Sequence, residues 1–214
     1  MPENGVYMRI VNISSGFVNA NSYLLIDEST LDAAIVDPGG DAPALISAIC
    51  QNGVKVVAIL LTHGHFDHIL ALDEIKDFTK APVYIHEYDN VCLGNTIFSL
   101  MSMAGRSDTF DDADVKLQDG DEIKIGNSTI KVIHTPGHTT GSVCYMTDAG
   151  LVSGDTLFYD SIGRTDFPGG DYNTIASSIR SLYKLNGDTV VYPGHGGTTT
   201  IERERKFNMF VREN

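Results

Sequence analysis

Four apolar, strand-like runs in this chain end in the same kind of turn. They stop at Thr62-His63-Gly64-His65, at Thr135-Pro136-Gly137-His138, at Ser153-Gly154-Asp155 and at Tyr192-Pro193-Gly194-His195. A strand that repeatedly delivers a small residue and then a metal-ligand type of side chain is more than core filling. Strand ends are where α/β folds gather their sites. Five of the seven histidines lie in these turns and the segment after the first of them. The other two, His86 and His134, read as structural.

The segments between the turns alternate in period. Ser22 to Ile26, Ala33 to Val36 and the β-branched run Val54 to Leu61 read as strands, the last buried on both faces. Ala42 to Asn52 carries apolar residues at helical spacing, Cys50 among them, and Gly53 stops it. A second helical pattern runs through Ile69, Leu72, Ile75 and Phe78, followed by a short strand, Val83 to His86. From 87 to 118 the pattern weakens, and Gly94 to Phe110 is expected to be mobile and to border a pocket. Phe98, Met101, Met103 and Phe110 either wall that pocket or pack beneath the loop. Short strands follow at 123–125, 129–134, 143–146 and 151–153, then a helix over 172–183, a strand over 189–192 and a closing helix over 201–210. The expectation is one layered α/β domain over residues 1–214 with mixed sheets.

His63-x-His65-x-Asp67-His68 places four ligand-type side chains in six residues. Imidazole and carboxylate suit zinc, and also iron or manganese. In an extended turn residues 63, 65 and 67 share a side, and Asp67 can cap a helix that His68 opens. Four ligands crowd one catalytic ion that must keep an open position, so they fit better on two ions. His138, Asp155 and His195 complete the sets. One division puts His63, His65 and His138 on the first ion and Asp67, His68 and His195 on the second, with Asp155 between them. Two divalent ions outweigh two carboxylates and one hydroxide, so such a centre attracts anions although the chain carries a net charge of −13.

That charge argues against nucleic-acid binding, which needs clustered Lys and Arg. No apolar run reaches the length of a membrane span, and no secretory signal is visible at the start. Three scattered cysteines, Cys50, Cys92 and Cys144, fit a reducing cytoplasm better than a disulfide framework.

The segment Thr62-His63-Gly64-His65-Phe66-Asp67-His68 resembles the signature of the metallo-β-lactamase-fold superfamily. Asp37 in Val-Asp-Pro-Gly, His138 in Thr-Pro-Gly-His-Thr, Asp155 in Ser-Gly-Asp-Thr-Leu-Phe and His195 in Pro-Gly-His-Gly follow in the family's order. The resemblance implies an αββα sandwich, two mixed sheets with helices outside. It also implies a di-metal site along one sheet edge with the division just given, and Asp37 behind the ligands rather than among them. Asp67 is then also the residue that orients the attacking water. Within the superfamily, Ser161 to Gly170 (SIGRTDFPGG) is similar to short members of the glyoxalase II group, which implies hydrolysis of a small anionic thioester or ester. Related persulfide dioxygenases share the Gly163 to Phe167 stretch and hold one iron, which is the alternative. The best-known lactamase subclass has a cysteine where Asp155 stands, so antibiotic hydrolysis is not expected as the native role. Full-length glyoxalase II adds a helical glutathione-binding domain, for which the stretch after His195 leaves room for one helix only. A ribonuclease of this fold would be expected to be more basic. Arg164 either holds an anionic substrate group or pairs with Asp166 or another nearby acid, and Tyr159 either lines the pocket or is a buried tyrosine with its hydroxyl satisfied.

Overall fold

The computed structural model describes residues 8–15 and 19–212. Two six-stranded sheets form, and each is covered by helices on its outer face. The first sheet runs in chain order: β1 (Met8–Ser15), β2 (Ala20–Asp27), β3 (Asp32–Val36), β4 (Lys55–Leu60), β5 (Val83–His86) and β6 (Val115–Leu117). Its first three strands are antiparallel neighbours, and β3 to β6 are parallel. The parallel crossovers carry α1 (Ala42–Asn52), α2 (Phe66–Ile69), α3 (Leu72–Thr79) and α4 (Asn90–Leu93).

The second sheet contains β7 (Glu122–Ile125), β8 (Ser128–His134), β9 (Val143–Thr147) and β10 (Gly150–Gly154). A small hairpin follows, β11 (Leu157–Phe158) with β12 (Ser161–Ile162), then α5 (Tyr172–Leu182), β13 (Val190–Pro193), β14 (Thr199–Thr200) and α6 (Ile201–Phe207). The order across this sheet is β14-β13-β10-β9-β8-β7, with β10 and β13 parallel.

Strand alternation explains the layers. On β2, Leu24 and Ile26 join Leu45, Ile49, Leu72 and Ile75 of the helices, while Tyr23 and Leu25 face the other sheet. Between the sheets they meet Ile130, Val132, Val143 and Tyr145. Beyond the second sheet, Cys144, Leu151 and Val191 pack on Ile175, Ile179 and Leu182 of α5. The architecture is therefore αββα.

Three local readings are corrected. Cys50 is exposed, because the buried face of α1 is Leu45 with Ile49 and the next position turns about 100° away. Asp67 is not a cap: α2 starts at Phe66 with extended His65 before it, which places Asp67 in the first turn. The helix over 201–210 ends at Phe207.

Strand direction brings the turns together. β8 and β10 both run antiparallel to β9, and β10 runs parallel to β13, so residues 138, 155 and 195 leave the same edge of the second sheet. The Val143 amide donates to the Thr62 carbonyl at 2.8 Å, which holds the end of β4 against that edge.

Candidate metal centre

All seven ligand-type residues converge. The donor atoms of His63, His65 and His138 lie within 4.8 Å of one another, and so do those of Asp67, His68 and His195. The carboxylate of Asp155 stands between the groups. Its Oδ1 is 3.4 Å from His68 Nε2, and its Oδ2 is 3.6 Å from both His138 Nε2 and His195 Nε2. His195 Nε2 is 3.1 Å from Asp67 Oδ2. Two donors sharing a tetrahedral ion with ~2.1 Å bonds stand about 3.4 Å apart. The spacing thus suits ions.

Hydrogen bonding gives a second, independent sign. The Nε2 atoms of His63, His65, His68 and His138 and the Oδ1 of Asp155 are buried without a hydrogen-bond partner. Native proteins rarely leave such atoms unanswered. On three of these histidines the opposite ring nitrogen is answered. His68 Nδ1 lies 3.0 Å from Asp37 Oδ2, His138 Nδ1 lies 2.7 Å from the Arg164 carbonyl, and His63 Nδ1 lies 3.0 Å from Thr62 Oγ1. A carbonyl only accepts, so His138 carries a proton on Nδ1, and the neutral tautomer that this bond selects turns its Nε2 lone pair to the site. Asp37 can also be grouped with His63 and His68, but its oxygens already accept from the Thr62 amide and hydroxyl. It positions His68 from behind.

The electrostatics divide the site. Burial, reinforced by the neighbouring imidazoles, holds His63 well below the ordinary histidine value, and burial pushes His65 down to about 3. Both are therefore neutral donors. At His68 burial acts in the same direction, but Asp67, Asp155 and Asp37 outweigh it and raise the imidazole. Burial likewise opposes ionisation of Asp155, and the His68 charge overcomes it.

Close backbone approach requires glycine at several points around the site, Gly39 and Gly194 among them. A Cβ on Gly39 would lie 1.6 Å from the Asp67 carbonyl oxygen, and one on Gly194 would lie 2.2 Å from Asp155 Oδ1. Both turns are packed directly against ligand-type residues.

Other expectations resolve individually. His86 and His134 stack on each other, with centroids 4.1 Å apart, outside both groups. Arg164 pairs through two bonds with Asp166 and lies over Phe167, and it borders the pocket. Its carbonyl on His138 was not foreseen. Tyr159 does not line the pocket; it turns away under the Arg203 guanidinium, and Phe158 takes its place. The wall expected of four residues reduces to Met103, since Met101 is in the core, Phe110 packs against it and Phe98 lines no cavity at the site. Asp89 was missed. It is buried and accepts from the Gly64 amide, the Thr139 hydroxyl and the Gly141 amide. No local pattern marks it, because all its partners are distant in sequence.

The family model described as metallo-beta-lactamase superfamily matches residues 15–195. The chain belongs to the metallo-beta-lactamase superfamily. Among superfamily relatives, it is 36% identical over 192 residues to hydroxyacylglutathione hydrolase GloC of Haemophilus influenzae, covering 87% of this chain and 91% of that one. The structure of BLEG-1 B3 metallo-beta-lactamase superposes with a TM-score of 0.90 at 40% identity, covering 95% of this chain and 99% of that one. TTHA1623 in a di-iron-bound form superposes with a TM-score of 0.84 at 31% identity, covering 94% and 100%. The superfamily chain described here is thus a metallo-hydrolase with His and Asp groups suited to divalent ions. Among the described residues no helix is long and apolar enough to cross a membrane.

Proposed function

We propose that the chain hydrolyses a thioester or ester of a small anionic molecule in the cytoplasm. It would use two divalent ions, zinc in the first place with iron or manganese as substitutes. His63, His65 and His138 would hold one ion and Asp67, His68 and His195 the other, with Asp155 shared. The observation that carries this is the pair of donor triads facing one carboxylate, with five buried polar atoms left open toward them. Similarity to GloC and the SIGRTDFPGG loop support the thioester class.

Held by these residues, two divalent ions would supply a water of lowered pKa and polarisation of an acyl carbonyl. Asp67 lines the pocket, and its carboxylate can accept a proton from the attacking water. Asp37 and the Arg164 carbonyl keep His68 and His138 turned with Nε2 forward. Phe66, Leu100 and Phe167 exclude water from one wall. A thiolate leaves readily without a donated proton, so a thioester asks little further acid of the site.

A second reading, β-lactam hydrolysis, is favoured by the likeness to BLEG-1. One assay separates them. Protein purified without chelators is supplied anaerobically with S-lactoylglutathione, and separately with a chromogenic cephalosporin. Thioester turnover is expected to exceed cephalosporin turnover. Iron-dependent oxygen uptake with glutathione persulfide, without thioester turnover, would instead indicate dioxygenase chemistry.

A further inference from the structure

Two cavities open side by side at the metal edge. The metal pocket, about 400 Å³, carries the His and Asp donors, and Phe158, Ser161, Ile162 and Arg164 also line it. Its neighbour, about 450 Å³, shares Phe66, Leu100 and Phe167 with it as a common wall. Beyond that wall the lining is Leu70, Met103, Ala104 and Arg106.

The two cavities differ in chemistry. The neighbour has one charged lining residue, Arg106, and its guanidinium is engaged by Asp108 at 2.8 Å. Its methylene stem remains as apolar surface. The other lining side chains are aliphatic, thioether or aromatic. Such a cavity rewards an apolar group and offers a polar one no partner. Met103 is 70% exposed, and an unbranched thioether adapts to chains of different length.

We propose, resting on the thioester reading above, that this cavity takes the acyl chain of the substrate, so that the preferred substrate is a thioester of an unbranched, medium-chain apolar acid. The carbonyl carbon lies in the metal pocket and the chain crosses between Phe66, Leu100 and Phe167. The thiol portion, polar in biological carriers, stays in the metal pocket, whose lining carries the polar and charged side chains. The difference in polarity between the two cavities fixes the direction in which the substrate lies.

The test uses the metal-loaded full chain with acetyl, butanoyl, hexanoyl and octanoyl thioesters of glutathione. In parallel, calorimetry follows binding of the matching straight-chain carboxylates, which are the products. Both kcat/KM and carboxylate affinity are expected to rise about fourfold per methylene over the first steps. Ala104→Trp, at an exposed position, fills the cavity and is expected to flatten both trends. Met103→Glu, also exposed, is expected to reverse the preference for long chains. Length-dependent carboxylate binding without thioester turnover would support the cavity and overturn the thioester reading. Thioester turnover independent of chain length, together with flat carboxylate binding, would overturn the cavity and leave the thioester reading standing.

Discussion

The Asp89 carboxylate accepts a hydrogen bond from the Gly64 amide at 3.1 Å, and Gly64 is the residue between His63 and His65. The other carboxylate oxygen accepts from the Gly141 amide at 2.7 Å, in the loop that follows His138. One buried side chain therefore holds the loops that supply all three donors of the first group. Burial outweighs these hydrogen bonds and raises the Asp89 carboxyl above the usual range. Asp89→Ala is expected to cost about 3 kcal/mol in stability and to weaken metal binding about 10-fold or more. Denaturant unfolding and a competitive metal titration read the two effects, and unchanged metal affinity would remove Asp89 from the site's support.

Asp155 and His195 should separate in a metal assay. Asp155 reaches donors of both groups, whereas His195 belongs to one. Mass spectrometry is expected to find about two ions per chain in the parent protein. Asp155→Ala is expected to deplete both, and His195→Ala mainly one. Equal retention in the two variants contradicts the assignment.

Chelation should lower thermal stability as well as activity. Ions that bind only the folded chain stabilise it by mass action, and their removal leaves Asp67 and Asp155 facing each other. A fall in Tm of about 5–10 °C is expected for a chain of this size. An unchanged Tm with metal loss confirmed would count against the site.

Acid sensitivity should have a source far from the metals. Asp27 is buried, and burial opposes its ionisation. Hydrogen bonds from Ser29, Ser128 and Thr30 outweigh that and hold its carboxyl well below the usual range. A lowered folded value means stability that is present above the unfolded pKa of ~3.9 and lost as pH falls through the folded one. Relative to the parent protein, Asp27→Asn is expected to lose about 2 kcal/mol near neutral pH and to narrow that gap below about pH 4. Urea unfolding of both proteins across pH measures the difference, and a gap independent of pH would be the contrary result.

Backbone exchange should distinguish the pocket wall from the sheet. Residues 94–110 are mostly turns and irregular backbone, and Ile97, Phe98 and Met103 are exposed. Their amides are expected to exchange faster than those of β4. Equally slow exchange in both would mean that the wall is as rigid as the core.

The turns that carry the donors are legible in sequence because chain reversal and chemistry fall on the same few residues. Gly64, Gly137, Gly154 and Gly194 mark where strands stop, and the ligand types stand beside them. Elements without such a coincidence escape. β1 mixes Ile10, Val11 and Ile13 with Arg9, Asn12 and Ser14, and gains its place by pairing with β2. β6 has three residues and exists through its register with β5. β11 and β12 are two residues each, set by their mutual pairing. Tyr159 and Phe158 are neighbours of similar character, and only the hairpin decides which of them faces the pocket. Asp89 is one acid among many until distant loops close around it.

The first donor group takes His63 and His65 from one sheet and His138 from the other. An ion held there works as a rivet through the sandwich. Any sliding of one sheet over the other pulls its donors apart, so metal affinity becomes a gauge of sheet alignment. The Tyr145 hydroxyl, donating across the interface to the Leu61 carbonyl at 2.7 Å, is one of the pins that set that alignment. A change there would be felt at the centre as a looser grip on metal, with every ligand still in the chain.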